Sequence, residues 1–376
     1  GATGRTGALV VRELLARGDV ARVRALVRDG AKAEAELPSP DDEPRLEVVN
    51  VDLADVDAAG AAFAGAGAAV WCAQGDGRAS STAQKATGFL GTLARALRMR
   101  LTGNGGGDGS GSAGGASGAV PTGSRAVQPT SPTALDAAAE ALAASGGRLV
   151  LLSSAAVTRN AWKERKREEL AAVVDIPIVR LNPFGVLDQG RLAEQRVRES
   201  GAQYAVVRPV GLRDTDGAKS WPRGRPWLAQ HDVLVGRANR EDVAAVCVEA
   251  ALAPAEAVAG KTFEMMTLVG EAYPAPKEGL EYTFSLLYTD EQRAAMGEDV
   301  GFGVDGNNGD TLCAGELAVR TSFLSAQQML PGEVQDATRL EMGRTYEQLD
   351  AGKVDRKPGA APTEREVKVA TGAAAR

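Results

Sequence analysis

Gly1-Ala2-Thr3-Gly4-Arg5-Thr6-Gly7 runs directly into Ala8-Leu9-Val10-Val11-Arg12-Glu13-Leu14-Leu15. Leu9, Val11, Leu14 and Leu15 recur at helical spacing, so a helix follows the turn and stops near Gly18, a residue type suited to the position just past a helix end. Glycines at 1, 4 and 7 let the backbone turn tightly and approach a bound group closely. The helix that starts there offers unpaired N–H groups and the positive end of its dipole. A turn of this kind is the phosphate-cradling half of a dinucleotide site in a doubly wound α/β sheet. Such a turn is normally entered from a central strand buried on both faces. None precedes Gly1, so the reading expects an N-terminally truncated chain whose sheet centre lacks that strand.

Residues 22–27 (Arg-Val-Arg-Ala-Leu-Val) read as a strand, as do residues 46–51 and 68–73, with Ala-rich helical stretches such as 56–65 between them. Ser131-Pro132 reads as an N-cap and first helical residue, opening a helix that runs through Leu135 and Leu142 to Ser145-Gly146. Residues 148–152 are a buried strand, 187–199 a helix closed by Ser200-Gly201, 204–207 a strand, 241–252 a helix and 262–268 a last apolar strand. Strands alternating with helices predict an α/β fold, a doubly wound and mostly parallel Rossmann sheet. Residues 103–118 interrupt the order: nine of these sixteen are glycine, which predicts a flexible surface insertion. From about residue 270 the alternation stops, so the chain divides into a Rossmann domain (1–268) and an irregular C-terminal extension (269–376). The mixed-sign run 162–169 has i,i+4 spacing and predicts a solvated helix face.

Composition removes several classes of function. The chain has 376 residues, 44% of them hydrophobic and 24% charged, enough to bury a sizeable core. No apolar run reaches the length of a membrane helix. A net charge of −6 argues against nucleic acid as a partner. Cys72, Cys247 and Cys313 are widely separated and His231 is the only histidine. Neither a disulfide framework nor a metal centre is expected from that set, and His231 reads as a loop residue.

The residues 1–7, Leu26-Val27-Arg28, Val51-Asp52-Leu53, Leu152-Ser153-Ser154, Tyr204-Ala205-Val206-Val207-Arg208-Pro209 and Asp242-Val243-Ala244 occur in this order. With them the chain resembles the atypical short-chain dehydrogenase/reductases, in particular the NmrA-like NAD(P)-binding group with its plant and algal plastid members. Ser153-Ser154-Ala155-Ala156-Val157-Thr158-Arg159 and Asn182-Pro183-Phe184-Gly185-Val186-Leu187 are most similar to the plastid proteins. The likeness covers residues 1–268.

The resemblance implies a dinucleotide held by Gly1, Gly4 and Gly7, with Thr3, Arg5 and Thr6 supplying donors. Arg28 takes the place facing the adenosine ribose, where a guanidinium forks onto a 2′-phosphate. That favours NADP, while the neighbouring Asp29 keeps NAD open. Asp52 and Leu53 correspond to the adenine contact, Asp52 reading equally as a helix N-cap. Cys72 and Ala73 correspond to the ribose wall, and Pro209, with Arg208, to the border of the nicotinamide pocket. Ser153 is counted among the cofactor contacts, while Ser154 reads either as a hydroxyl that orients a carbonyl or as a polar strand end.

In the family a Tyr and a Lys four residues later carry the proton transfer. Here Leu187 and Arg191 stand in those places, so Arg191 is expected to hold ribose hydroxyls and no catalytic residue is assigned. Tyr273 and Lys277 have the same spacing, but Pro274 and Pro276 forbid a helix between them.

Two functions follow from this pattern. One is a dinucleotide-binding regulatory or scaffold subunit, docked through the C-terminal extension on a protein partner such as a photosynthetic complex. The other is an NADP-dependent oxidoreductase with a non-standard proton donor. The plastid likeness implies a chloroplast location.

Overall fold

The computed structural model describes residues 1–73, 132–174, 176–214, 223–270, 273–277 and 279–296. The insertion 103–118, Ser131, Cys313 and the helix expected within 334–349 lie outside the described residues.

Helix α1 (Arg5–Ala16) leads to strand β1 (Val23–Val27), helix α2 (Gly30–Glu36), β2 (Leu46–Asn50), α3 (Val56–Phe63) and β3 (Ala68–Trp71). Helix α4 (Ala134–Ser145), β4 (Arg148–Leu152), α5 (Val186–Glu199), β5 (Gln203–Pro209) and β6 (Gly211–Arg213) follow. Then come β7 (Arg225–Ala229), β8 (Arg237–Asn239), α6 (Arg240–Leu252), β9 (Lys261–Leu268), α7 (Glu281–Ser285) and α8 (Asp290–Ala295). Short helical turns between β4 and α5 are named by their residues below.

The main sheet has the order β3-β4-β5-β9-β7, parallel except for β7, which runs antiparallel to β9 at the edge. Strands β1 and β2 form a separate parallel pair, and β6 pairs with β8. The doubly wound, mostly parallel sheet expected from the alternation of elements is therefore the architecture found. Between β1 and β3 lies a cavity of about 430 Å³, lined by Val23, Ala25, Ala69, Val70 and Cys72 among others. Among the described residues no strand pairs with both β1 and β3.

Side-chain alternation along the strands shows why helices cover both faces. Val150, Ala205, Val207, Phe263 and Met265 pack with Val243, Val246 and Cys247 of α6 on one side. Leu149, Leu151 and Val206 pack with Ala59, Leu135, Leu142 and Val197 on the other. Successive residues of one strand thus serve two cores, which requires apolar runs rather than alternating ones.

Local chemistry sets the ends of the helices. Thr133, not Ser131, caps α4, in a capping box with Asp136, because the residue three places on must return a carboxylate to the cap's amide. Gly146 closes α4 in the left-handed conformation at φ 68°. Helix α1 ends differently from expectation: Arg17 is extended at φ −80°, so Gly18 need not supply a left-handed turn. Arg45 instead covers the end of α1, donating to the carbonyls of Leu15 and Arg17.

The charged run 162–169 also departs from its reading. Within the short helix Glu164–Glu169, Arg165 and Glu169 form the i,i+4 pair at 3.2 Å. Lys166, however, is buried, its ammonium 4.3 Å from the centre of the Trp162 ring. The aromatic face supplies the partial negative charge that a buried ammonium needs. Past Leu268, Leu280 and Phe284 enter the same core as α6. Asp290 accepts from the Thr262 hydroxyl at 2.6 Å. The first part of the segment read as an extension therefore wraps its own domain.

Candidate functional site

The residues singled out from the sequence gather at the carboxyl ends of the parallel strands. Arg28 follows β1, Asp52 and Leu53 follow β2, Cys72 and Ala73 follow β3, Ser153 follows β4, and Pro209 ends β5. Ligands of open α/β sheets bind along that edge.

The 1–7 turn is built by close backbone approach. A Cβ on Gly1 would stand 2.4 Å from the Cys72 carbonyl carbon and 2.6 Å from the Ala73 nitrogen. On Gly7 it would stand 2.1 Å from the Gly1 oxygen. Gly4 has more room, its nearest neighbour being the Gly1 oxygen at 3.1 Å. Gly1 and Gly7 are thus required by the turn itself, and at Gly4, the N-cap residue, a side chain would still press on a backbone oxygen. The mouth of a 12-residue helix, with its unpaired amides, fits a pyrophosphate.

Thr6 is buried and its hydroxyl lies 3.3 Å from an Arg240 Nη1 donor. Thr3 is half-buried, whereas Arg5 is exposed and pairs with Asp214 at 2.8 Å. Arg28 is exposed and close enough to Gly1 for their charges to interact. Asp29 caps α2, its carboxylate accepting from the Lys32 amide at 3.2 Å. Asp52 is not a helix cap: it accepts from the Ala54 amide at 3.0 Å, and Asp55 caps α3. Burial pushes the Cys72 thiol up to about 11, so it is a neutral wall rather than a nucleophile.

Leu187 stands at the place aligned with the family's proton donor, and a buried ionic network lies two turns further along α5, at Glu194. Helix α5 turns Leu187 into a satellite core with Val157, Trp162 and Val179. The face that meets the end of β4 carries Gly190 and Glu194. A Cβ on Gly190 would lie 3.6 Å from Ser153 Oγ, and Ser153 donates its hydroxyl to Glu194 Oε1 at 2.6 Å. Arg208 grips the same carboxylate with both prongs, at 2.9 and 2.6 Å, and Arg198 adds a bond at 2.9 Å.

Burial alone would raise the Glu194 carboxyl. The adjacent Arg208 and Arg198 charges, with hydrogen bonds from Arg208 and Ser153, outweigh that and hold it near 2. Arg208 therefore faces inward, leaving Pro209 as the strand-end residue. Arg191 is half-buried on α5, four residues beyond Leu187. Phenols among the described residues lie elsewhere: Tyr204 donates to Asp290 at 3.1 Å, and Tyr273, Tyr282 and Tyr288 are exposed.

A second buried cluster holds the loop after β4. Asp232 accepts from the amides of Ala156 and Thr158 at 2.6 and 2.9 Å and from the Thr158 hydroxyl at 2.6 Å. Both His231 and Asp232 adopt positive φ, 89° and 58°, to aim that carboxylate. His231 is a loop residue, as read from the sequence. Glu264 lies in β9 beside Arg208, with Oε2 accepting from the Leu234 amide and Oε1 buried without a partner. Burial, then the neighbouring Asp232, raises its carboxyl above the ordinary range.

Sequence reasoning missed Glu194, Asp214, Asp232 and Arg240. Only Glu194 left a trace: a charge on an apolar helix face, matched by Arg208 in an otherwise apolar strand.

Residues 1–254 match the family described as NAD(P)H-binding. The chain belongs to that family. The resemblance to the NmrA-like, atypical short-chain dehydrogenase/reductases is thereby borne out. An uncharacterised chloroplastic protein of Arabidopsis thaliana is 27% identical over 290 residues, 76% of this chain and 80% of the relative. Among solved structures, the oxidoreductase ylbE of Lactococcus lactis matches at 14% identity and a TM-score of 0.44, covering 76% of this chain and 94% of that one. A short-chain dehydrogenase/reductase of Veillonella parvula, solved with NADP, matches at 13% identity and a TM-score of 0.43, covering 74% and 96%. Among the described residues no helix is long and apolar enough to cross a membrane.

Proposed function

We propose that this NAD(P)H-binding protein prefers NADP(H) and acts as a dinucleotide-responsive regulatory or scaffold subunit in the plastid, without a Tyr/Lys proton-transfer pair. The observation that carries the reading is the Ser153–Glu194 hydrogen bond at 2.6 Å. A strand-end serine serves a carbonyl substrate by donating its hydroxyl hydrogen, and both serines here spend theirs elsewhere: Ser153 on the buried Glu194 carboxylate and Ser154, the one read as able to orient a carbonyl, on the Ala155 carbonyl at 3.0 Å. Glu194, held ionised by two arginines, has no proton to lend near neutral pH.

Arg28 supports the NADP preference, since Asp29, which would serve an NAD ribose, is engaged as a helix cap. Gly1, Thr3, Gly4, Arg5, Thr6 and Gly7 bind the pyrophosphate in this reading. Asp52 and Leu53 flank adenine, Cys72 and Ala73 the ribose, and Ser153, Arg191 and Pro209 the nicotinamide half. A plastid location is supported by the chloroplastic relative. Because Phe284 and Asp290 already belong to the domain's own core, the partner-docking arm of this reading begins beyond residue 296.

The competing reading is an NADP-dependent oxidoreductase with a non-standard proton donor, favoured by the intact phosphate turn. A bound nicotinamide supplies hydride transfer, so the two readings differ in whether the chain also moves a proton. Titrating the protein with NADPH and NADH, and separately following NADPH oxidation with carbonyl substrates, decides between them. Tight binding without oxidation is the expected result; oxidation at about 1 per second or faster overturns the non-catalytic reading.

A further inference from the structure

Asp214 stands one residue beyond β6, far in sequence from the phosphate turn, yet its carboxylate lies against the mouth of α1. One oxygen accepts from Arg5 Nη1 at 2.8 Å, and the other accepts from Arg240 Nε. Arg5 is the first residue of α1 and Arg240 the first of α6. A second nitrogen of the Arg240 guanidinium lies 3.3 Å from the Thr6 hydroxyl, so this one side chain joins the starts of the two helices. Two arginines therefore converge on a single carboxylate beside the first turn of α1. An anion held between two guanidiniums at a helix N-terminus has the recognition chemistry of a phosphate.

We infer that Arg5 and Arg240 form a two-guanidinium clamp for the pyrophosphate of the bound dinucleotide, and that Asp214 occupies the clamp as a stand-in carboxylate which the pyrophosphate displaces. The inference rests on the dinucleotide reading of the 1–7 turn and deepens it. It adds a binding residue, Arg240, from the far end of the domain and an internal competitor, Asp214, that lowers affinity. Arg5 is largely exposed, 73% for its side chain, and is free to swing from carboxylate to ligand. Arg240, at 12%, is held against Thr6 and keeps its direction. Displacement costs little because a partly exposed ion pair is weak in water. Both phosphates of the pyrophosphate are common to NAD and NADP, so the clamp does not discriminate between them. In that respect it differs from Arg28.

The test is calorimetric titration of the full chain with NADPH and with NADH, using Asp214→Asn, Arg240→Gln and Arg240→Lys, each checked for an unchanged melting temperature. Asp214→Asn is expected to bind both dinucleotides about two- to fivefold more tightly, because the competitor's charge is gone. Arg240→Gln is expected to bind both about tenfold more weakly, with Arg240→Lys between it and the wild type. Unchanged or weaker binding by Asp214→Asn, or unchanged binding by Arg240→Gln, overturns the clamp while leaving the dinucleotide reading intact. A loss confined to NADPH also overturns it, placing Arg240 on the 2′-phosphate instead. Failure of the wild type to bind either dinucleotide overturns the underlying reading, and the clamp with it.

Discussion

Glu194 receives both prongs of the Arg208 guanidinium, at 2.9 and 2.6 Å, with neither residue reaching solvent. A helix and the neighbouring strand are joined there by a charge pair that also takes up the Ser153 hydroxyl. The arrangement commits the Ser153 hydroxyl hydrogen to that carboxylate and makes the domain's stability draw on its ionised form.

Glu194→Gln should therefore be among the most damaging single substitutions in the domain. Removing one partner of a buried pair leaves Arg208 without its bidentate counter-charge, a loss of about 3–5 kcal/mol, whereas Arg198 keeps Asp290 at 3.0 Å. Denaturant unfolding of the variant should show a midpoint shift of that size. Ser153→Ala removes one hydrogen bond and should cost only about 1 kcal/mol. The same carboxyl governs acid stability. Its folded value is held near 2, below that of an unfolded glutamate, so its contribution is complete above the unfolded value of about 4.3 and is lost as pH falls toward 2. Melting temperature measured from pH 5 down to 2 should drop through that window.

Glu264 should behave in the opposite way. Burial and the nearby Asp232 raise its carboxyl, so the folded state favours the protonated form. Its contribution is complete below the unfolded value and declines as pH rises through the folded one. Glu264→Gln reproduces the neutral form, and its stability relative to the wild type should increase with pH. Paired unfolding curves at pH 5 and pH 8 check this; a variant equally damaged at both values would mean that the charge is required.

Arg28→Glu should weaken NADPH more than NADH, since a carboxylate repels a 2′-phosphate but accepts hydrogen bonds from a ribose. Calorimetry with both dinucleotides reads the difference, and equal losses would make Arg28 a bystander.

The two inner glycines should separate folding from binding. Gly7→Ala places a methyl 2.1 Å from a backbone oxygen, and the clash should cost about 1–3 kcal/mol of stability. Gly4→Ala meets its nearest atom, a backbone oxygen, at 3.1 Å; it should lose less stability than Gly7→Ala while losing dinucleotide affinity.

Arg191→Ala should lower affinity for both dinucleotides if the residue holds the nicotinamide ribose. Leu187→Tyr, by contrast, does not rebuild a proton donor: Leu187 is 1% exposed within an apolar cluster, so the added ring should overpack that core and lower the melting temperature without creating activity.

Much of the domain was legible in the sequence because it depends on near neighbours along the chain. The glycines of the 1–7 turn, the apolar runs at 148–152 and 262–268, and Gly146 after α4 each encode their element through steric freedom or periodicity over a few residues. The family likeness then placed the strand-end residues along one edge of the sheet. What the tertiary structure alone decided are the encounters between strand ends and helix faces. Ser153 meets Glu194 across 41 residues, and Arg5 meets Asp214 across 209. Helical spacing says that Leu187, Gly190, Arg191 and Glu194 share a side of α5, but not which of them faces Ser153. That choice is set by the rotation of the helix on the sheet, where Leu187 secures its place among Val157, Trp162 and Val179 and so turns Glu194 toward Arg208. A buried ion pair forms only when packing brings its two members together and excludes water, and the trace that Glu194 leaves on its helix does not say which partner it meets.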